Sequence, residues 1–345
     1  MLEAILTPKT LPKRTRFWRV AKAAAKWRYT GRKFAERKGP FARAKLQQRT
    51  MTDPIKSGWL YWVRKILRVL LLLVLGLAVL GLLGMEGLDR YLSTERGVRW
   101  IYKKTPEAIA LRYTDSGLRY IEIGNPEKPA LLLLHGSPGS VMDWRSFARD
   151  PAVYDQYRLL IPERPGYGGT KPRGAEPSVQ EQARRCLEVL SGEGLPAVVA
   201  GYSYGAPVGL AMAGMAPEQI ARFVGVAGQY NPEDEMTLPI SYMIRFGVFR
   251  YLLPRWLWVS NVEKLGHPDA LRQALPLFDQ ANVPIDLIHG LPDAIVPYGN
   301  SPWLERRLGD RVRLYTVEQV GHEMPFSSMD TIVQFVLSPE RFFGD

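Results

Sequence analysis

Two kinds of apolar pattern divide this chain. Residues 69–85 run for 17 positions without a charge, mostly Leu and Val with interspersed Gly and Ala. With Ile66 and Leu67 the run nears the ~20 residues that a bilayer-crossing helix needs. It keeps no polar face, unlike a helix laid on a soluble core. Trp59, Tyr61 and Trp62 precede it, where an interfacial aromatic belt would lie. A long N-terminal stretch comes before it and no small-residue cleavage site follows, so an uncleaved anchor over 66–85 is expected rather than a signal peptide.

Beyond residue 105 short apolar runs replace the long one. The patterns predict strands at 118–123, 130–134, 158–162, 196–200, 222–226, 285–289 and 312–317. Helical spacing marks 179–191, 206–215, 300–308 and 328–337, and Ser140 with Asp143 reads as a capping box opening a further helix. This alternation predicts a mostly parallel sheet with helices on both faces. The stretch 238–259 is unusually aromatic: Tyr242, Phe246, Phe249, Tyr251, Trp256 and Trp258. Arg245, Arg250, Arg255 and Pro254 make it a poor membrane span. Their five-residue spacing turns each arginine by about 140° on a helix, so no single basic face forms. A helical lid whose aromatic residues line an apolar pocket is the expectation.

Charge changes the picture only at the N-terminus. The formal net charge is +12, yet residues 1–68 hold 19 Lys and Arg against 3 Asp and Glu, and the remainder holds 27 against 31. The basic character therefore belongs to an arm, read as solvated or drawn to anionic lipid. Nucleic-acid binding lacks a supporting fold. Lys56, Arg64, Lys65 and Arg68 before the anchor put the N-terminus in the cytosol and residues 86–345 on the opposite side. The lone cysteine, Cys186, lies on a helical apolar stripe and is expected to be a core filler. The domains expected are a basic arm (1–65), an anchor (66–85), a linker (86–104) and a globular domain (105–345) with a cap over about 229–281.

Four landmarks fall at predicted strand ends, where α/β folds place their sites. They are His135-Gly-Ser137-Pro-Gly139, Glu163-Arg-Pro-Gly166-Tyr-Gly168, Gly201-Tyr-Ser203-Tyr-Gly205, and Gly290-Leu-Pro-Asp293 paired with Gly321-His322. The third joins a strand to a helix through a turn that needs small neighbours on both sides of the serine. In type and order these motifs resemble the α/β-hydrolase superfamily, its serine hydrolase and esterase branch, over about residues 105–340. The resemblance implies an eight-stranded sheet with a cap after the sixth strand, Ser203 as nucleophile, His322 as general base and Asp293 as the orienting acid. It implies an oxyanion hole from the backbone N–H groups of Ser137 and Tyr204. Glu233, Asp234 and Glu235 compete with Asp293 for the acid. His135 is expected to hold the oxyanion loop, and His267 and His289 to be surface or loop-packing residues. Glu163 stands where Asp is commoner, and tyrosines flank the serine on both sides.

A hydroxyl becomes a useful nucleophile only when an imidazole takes its proton, and that imidazole needs a carboxylate to fix its tautomer. No cofactor or metal is expected, for no metal-ligand spacing or dinucleotide loop occurs. The reading is a membrane-anchored serine hydrolase of apolar acyl or alkyl esters. Alternatives are an enzyme like the proline iminopeptidases, another amide or C–C bond hydrolase, or a non-catalytic scaffold on the same fold.

Overall fold

In the computed structural model the described residues are 54–343, so residues 1–53 of the expected basic arm lie outside them. The chain forms two units, 1–76 and 77–345. The described part of the first is the N-terminal portion of helix α1 (Pro54–Leu92). Within 58–92 an 18-residue stretch of this helix reaches a mean hydropathy of 2.9, with none of that stretch buried. Leu72, Leu77 and Leu80 are each more than 60 % exposed (66 %, 68 % and 64 %). Among the described residues it is the one helix long and apolar enough to cross a membrane.

The second unit takes in the rest of α1. Within 86–104, expected as a linker, residues 86–92 and 95–101 are helical, and part of the stretch is buried. Helix α1 continues to Leu92, and Thr94 caps α2 (Glu95–Ile101) by accepting from the Gly97 N–H at 3.1 Å. Val98, Ile101 and Tyr102 are buried, and the Tyr102 hydroxyl donates to the Val141 carbonyl. Charges at Glu86, Asp89 and Arg90 end the apolar run, but they do not end the helix: Glu and Arg are good helix formers.

Eight strands follow: β1 (Ile109–Tyr113), β2 (Arg119–Ile123), β3 (Ala130–Leu134), β4 (Arg158–Pro162), β5 (Ala197–Tyr202), β6 (Ile220–Val226), β7 (Ile285–Gly290) and β8 (Val312–Val317). They form one sheet in the order β1-β2-β4-β3-β5-β6-β7-β8. The β1–β2 and β2–β4 pairs are antiparallel and the others parallel. Every residue of β3, β4, β5 and β7 is buried, which is why β3 and β5 read as unbroken apolar runs rather than alternating ones.

Helices cover both faces. On one lie α3 (Val179–Leu187), α4 (Gly205–Met215) and α7 (Arg255–Gln280), with Ala183, Cys186, Leu210 and Leu271 in their shared core. On the other lie α2 and α9 (Met329–Leu337), packed with Trp144, Phe147, Ile332 and Phe335. Burial drives the Cys186 thiol up to about 12, so it fills space and stays a thiol. Between β6 and β7 the chain rises into α5 (Pro239–Ile244), α6 (Phe249–Leu252) and the 26-residue α7; α8 (Asn300–Leu308) follows β7. Arg255, opening α7, receives two fastenings. Its backbone N–H donates to Glu86 at 2.8 Å, and its guanidinium donates to the carbonyls of Gly166 and Gly168.

Candidate active site

The site is assembled where β5 turns into α4. Ser203 adopts φ +52°, a left-handed conformation that costs an L-residue ~1–3 kcal/mol and persists only when its surroundings fix it. Here the Ser203 N–H donates to the Val226 carbonyl at 2.9 Å and its carbonyl accepts from the Ala206 N–H at 3.0 Å. The two flanking glycines have a steric reason. A Cβ on Gly201 would lie 2.5 Å from the Gly205 carbonyl oxygen, and one on Gly205 would lie 2.6 Å from the carbonyl oxygens of Leu134 and His135.

Two other strand ends bring the remaining groups. After β7 the turn puts both Asp293 oxygens to use: Oδ1 accepts from the N–H groups of Ile295 and Val296, each at 2.9 Å, and Oδ2 lies 2.8 Å from His322 Nδ1. After β8 the loop carries His322, whose Nε2 is 3.1 Å from Ser203 Oγ. Residues 203, 293 and 322 thus form a continuous hydrogen-bonded line. Burial alone would raise the Asp293 pKa, but hydrogen bonds from His289 and His322 outweigh it and hold the carboxyl well below the usual range.

The competing carboxylates go elsewhere. Glu233 pairs with Arg272 at the surface, Asp234 accepts from Asn231, and Glu235 faces Lys264 and His267. His135 is buried: its Nε2 accepts from the Arg164 N–H, leaving Nδ1 to donate to the Gly136 carbonyl. Burial first, and then the charge of Arg164, push its pKa far down. Asp143 ties the same loop by accepting from the N–H groups of Gly136 and Ser140, and burial pushes its carboxyl up to about 6.

Two expectations need correcting. His267 and His289 are not surface residues; both are buried. His289 closes β7, and its Nε2 lies 3.1 Å from the Val296 carbonyl and 3.3 Å from Asp293 Oδ2. Nε2 faces two acceptors, so it carries the hydrogen, and Nδ1 accepts from the Ser301 hydroxyl at 2.7 Å. The two elbow tyrosines each have their own partners, and Tyr204 also lines the cleft at Ser203. Tyr202 lies against His322, ring centroids 5.1 Å apart, and donates from its hydroxyl to the His322 carbonyl at 2.9 Å. Tyr204 stacks on His267 at 4.2 Å, with the Arg164 guanidinium over its ring. Finally, the aromatic residues of 238–259 do not line the cleft at Ser203. Tyr242, Phe246 and Tyr251 are exposed, and Tyr251 and Trp258 border a separate groove.

That cleft, about 40 Å³, is bounded by Ser137, Ser203 and Tyr204 on one side and Ile295 and Val296 on another. Gln229, Glu235, Lys264 and His267 complete it, a polar set that strand and helix patterns did not single out.

Behind the 135–137 loop sits a second group, which joins Arg164 and Tyr167 of the second landmark to Glu263, a residue outside all four. Arg164 and Glu263 are both fully buried and paired at 2.7 Å. Arg164 also donates to the carbonyls of His135 and Gly136 and to Gln182, while Glu263 accepts from Gln182 and from the Tyr167 hydroxyl. The Tyr167 oxygen lies 3.0 Å from Ser137 Oγ, and Ser137 Oγ lies 3.2 Å from Ser260. One ion pair therefore joins the 135–137 loop to cap helix α7.

A sheet of this order, with a serine raised on a strained strand-to-helix turn beside a histidine and an aspartate, defines a hydrolase class of α/β proteins. Residues 131–335 match the profile of the alpha/beta hydrolase family, and the chain belongs to that family. It is similar to the pimeloyl-[acyl-carrier protein] methyl ester esterase of Aromatoleum aromaticum, 28 % identical over 242 residues that cover 58 % of this chain and 93 % of the relative. Among solved structures it resembles a hydrolase from Pseudomonas aeruginosa PA01 (TM-score 0.52, 21 % identity, 69 % of this chain and 98 % of the other). It also resembles the thioesterase domain from the curacin biosynthetic pathway (TM-score 0.52, 17 % identity, 67 % and 100 %). The fold and the relatives support a hydrolase of the esterase kind.

Proposed function

We propose that the chain is a serine hydrolase that cleaves carboxylic esters through an acyl-enzyme, with Ser203, His322 and Asp293 as its triad. The observation that carries this is the unbroken line from Ser203 Oγ through both His322 nitrogens to Asp293 Oδ2, at 3.1 and 2.8 Å. In the forward step Ser203 Oγ attacks the ester carbonyl carbon while His322 Nε2 takes its proton. The imidazolium so formed is stabilised by Asp293, which stays a carboxylate. The backbone N–H groups of Ser137 and Tyr204, both of which line the cleft, are assigned to the negative oxygen of the tetrahedral intermediate. His322 then protonates the departing alcohol. Water, deprotonated by the same nitrogen, attacks the acyl-enzyme, and the acid leaves as Ser203 regains its proton. His289 acts as a positioning residue, its Nε2 lying 3.3 Å from the same Asp293 oxygen that His322 contacts.

The tether belongs to the same proposal. Residues 66–85 of α1 are read as a single-pass anchor, with the basic arm on the cytosolic side, drawn to anionic lipid, and residues 105–345 as the hydrolase on the far side. The hydropathy of α1 and the charge imbalance ahead of it support this reading. Ser203→Ala is expected to abolish both p-nitrophenyl ester turnover and labelling by a fluorophosphonate probe, with circular dichroism unchanged; retained turnover rejects the triad. Alkaline carbonate should leave the protein in the membrane pellet, and its release would reject the anchor.

A further inference from the structure

A groove of about 660 Å³ lies where α1 leaves its apolar run, and it shares no lining residue with the cleft at Ser203. Its apolar walls are Leu82 and Leu83 on α1 and Leu252, Trp258 and Val259 on the cap. Four arginines line it as well: Arg90 on α1, Arg173 in the loop before α3, and Arg250 and Arg255 on the cap. Two of these are matched. Arg90 pairs with Glu86 at 2.6 Å, and Arg255 reaches Asp89 at 3.8 Å while donating to the carbonyls of Gly166 and Gly168. Arg173 and Arg250 are exposed and make no hydrogen bond or ion pair among the described residues; Arg173 acts on Asp89 only through space. Around the groove four guanidinium groups thus face two carboxylates, an excess of two positive charges.

Depth says what this groove meets. The apolar run ends at Met85, and α1 continues unbroken to Leu92. At about 1.5 Å per residue, Arg90 stands about 7.5 Å beyond the end of the run on an upright helix. The headgroup layer on each side of a bilayer is about 5–7.5 Å thick. Leu82 and Leu83 therefore lie level with the first acyl carbons, and Arg90 level with the phosphates. The cap residues beside the groove suit the same boundary: Tyr251 is 84 % exposed and Leu252 55 %. Charge narrows the occupant further. A zwitterionic lipid brings a cation along with its phosphate, yet the carboxylates that could receive it, Glu86 and Asp89, are already matched by Arg90 and Arg255. A lipid with net negative charge brings only what the two unmatched arginines lack.

We propose that this groove binds one anionic phospholipid of the bilayer, its phosphate held by Arg173 and Arg250 and its first acyl carbons laid against Leu82, Leu83 and Leu252. This rests on the anchor reading above and is independent of the chemistry at Ser203. The guanidinium fork matches phosphate oxygens with paired, charge-assisted hydrogen bonds, and the long arginine stems reach up to the headgroup level while their carbons stay on apolar surface. The apolar walls separate a lipid from a free phosphate ion, which would leave Leu82, Leu83 and Leu252 facing water.

The test uses the full chain in nonionic detergent with ether-linked lipids, which an esterase cannot cleave. Equal mole fractions of phosphatidylglycerol and phosphatidylcholine are added, the protein is recaptured, and the retained lipid is counted by mass spectrometry. Phosphatidylglycerol should be retained at about one per chain and at least about fivefold over phosphatidylcholine, the gain expected of a single arginine at an anionic surface. In the double variant Arg173→Gln with Arg250→Gln that ratio should fall below about twofold. Arg245→Gln, which removes an exposed arginine of the same cap outside the groove, should keep the wild-type ratio. Circular dichroism reports that each variant is folded, and the two single changes decide if the double variant is not. A wild-type ratio near unity refutes the lipid site, and a ratio that survives in the double variant refutes the assignment to these arginines. An equal loss in Arg245→Gln means that the charge of the cap at large attracts the lipid, and the groove falls. Retained lipid that excess inorganic phosphate displaces makes this a free-anion site and overturns the lipid assignment. Alkaline carbonate separates the two readings: release from the membrane pellet takes down the anchor and this site together, whereas protein held in the pellet with a ratio near unity loses only the site.

Discussion

Glu263→Gln should be costly out of proportion to the one atom it changes. All four groups around the Glu263 carboxylate are donors: Arg164 Nη1 and Gln182 Nε2 at Oε1, Tyr167 Oη and Arg164 Nη2 at Oε2. A glutamine amide turns its own NH₂ toward donors at one end and leaves the Arg164 guanidinium, with no exposed surface, without a counter-charge. Removing one partner of a buried ion pair typically costs ~3–5 kcal/mol. That is a large share of the ~5–15 kcal/mol by which a domain is stable. With a urea dependence of about 3 kcal/mol/M, the unfolding midpoint should drop by about 1–1.7 M, read by tryptophan fluorescence in detergent. Arg164 also holds the carbonyls of His135 and Gly136, so ester turnover should fall mainly in kcat as the Ser137 N–H shifts. The double variant Arg164→Met with Glu263→Met should lose less than the two single changes added together. A Glu263→Gln midpoint within about 0.3 M of the parent would refute the reasoning, because it would mean that the guanidinium finds other compensation.

Tyr202→Phe removes the hydroxyl that donates to the His322 carbonyl but keeps the ring beside the imidazole. A net hydrogen bond of about 0.5–1.5 kcal/mol, if spent on holding that loop, lowers kcat by up to about tenfold with little change in KM. Steady-state kinetics on a p-nitrophenyl ester check it, and an unchanged kcat would dismiss Tyr202 as a positioning residue. Asp293→Asn gives a pH signature in stability. The folded-state pKa of Asp293 is depressed, so its contribution is full above the unfolded value near 3.9 and is lost as pH falls toward the folded value. The gap between parent and variant should be constant from about pH 5 to 8 and shrink below about pH 4, measured by urea unfolding; a gap that widens on acidification contradicts it.

The sheet was legible because its middle strands are buried on both faces and so appear as unbroken apolar runs, as at Ala130–Leu134. The serine turn was legible because glycines flank Ser203 for steric reasons that leave a spaced signature, as Gly201 and Gly205 do. What sequence concealed were residues that act through long-range pairing. Arg164 and Glu263 are 99 positions apart, and neither looks apolar, yet both are fully buried. His267 lies within a long helix interrupted by Pro268 and Pro276, and its role depends on Glu235, which only the fold brings to it. The stretch 86–104 was misjudged for the opposite reason. Its charges advertise solvent, while Val98, Ile101 and Tyr102, spaced to share one side, belong to the interior. The aromatic stretch 238–259 showed that apolar composition alone does not say which cavity a side chain faces.

The way α7 begins has a mechanical consequence. Arg255 is riveted on two sides, by Glu86 from the stem and by the Gly166 and Gly168 carbonyls from the sheet's loops. The roof over the serine therefore cannot hinge at that point. The stretch between Pro239 and Leu252 lies outside those rivets, and its greasy side chains Ile240, Met243 and Phe246 are exposed.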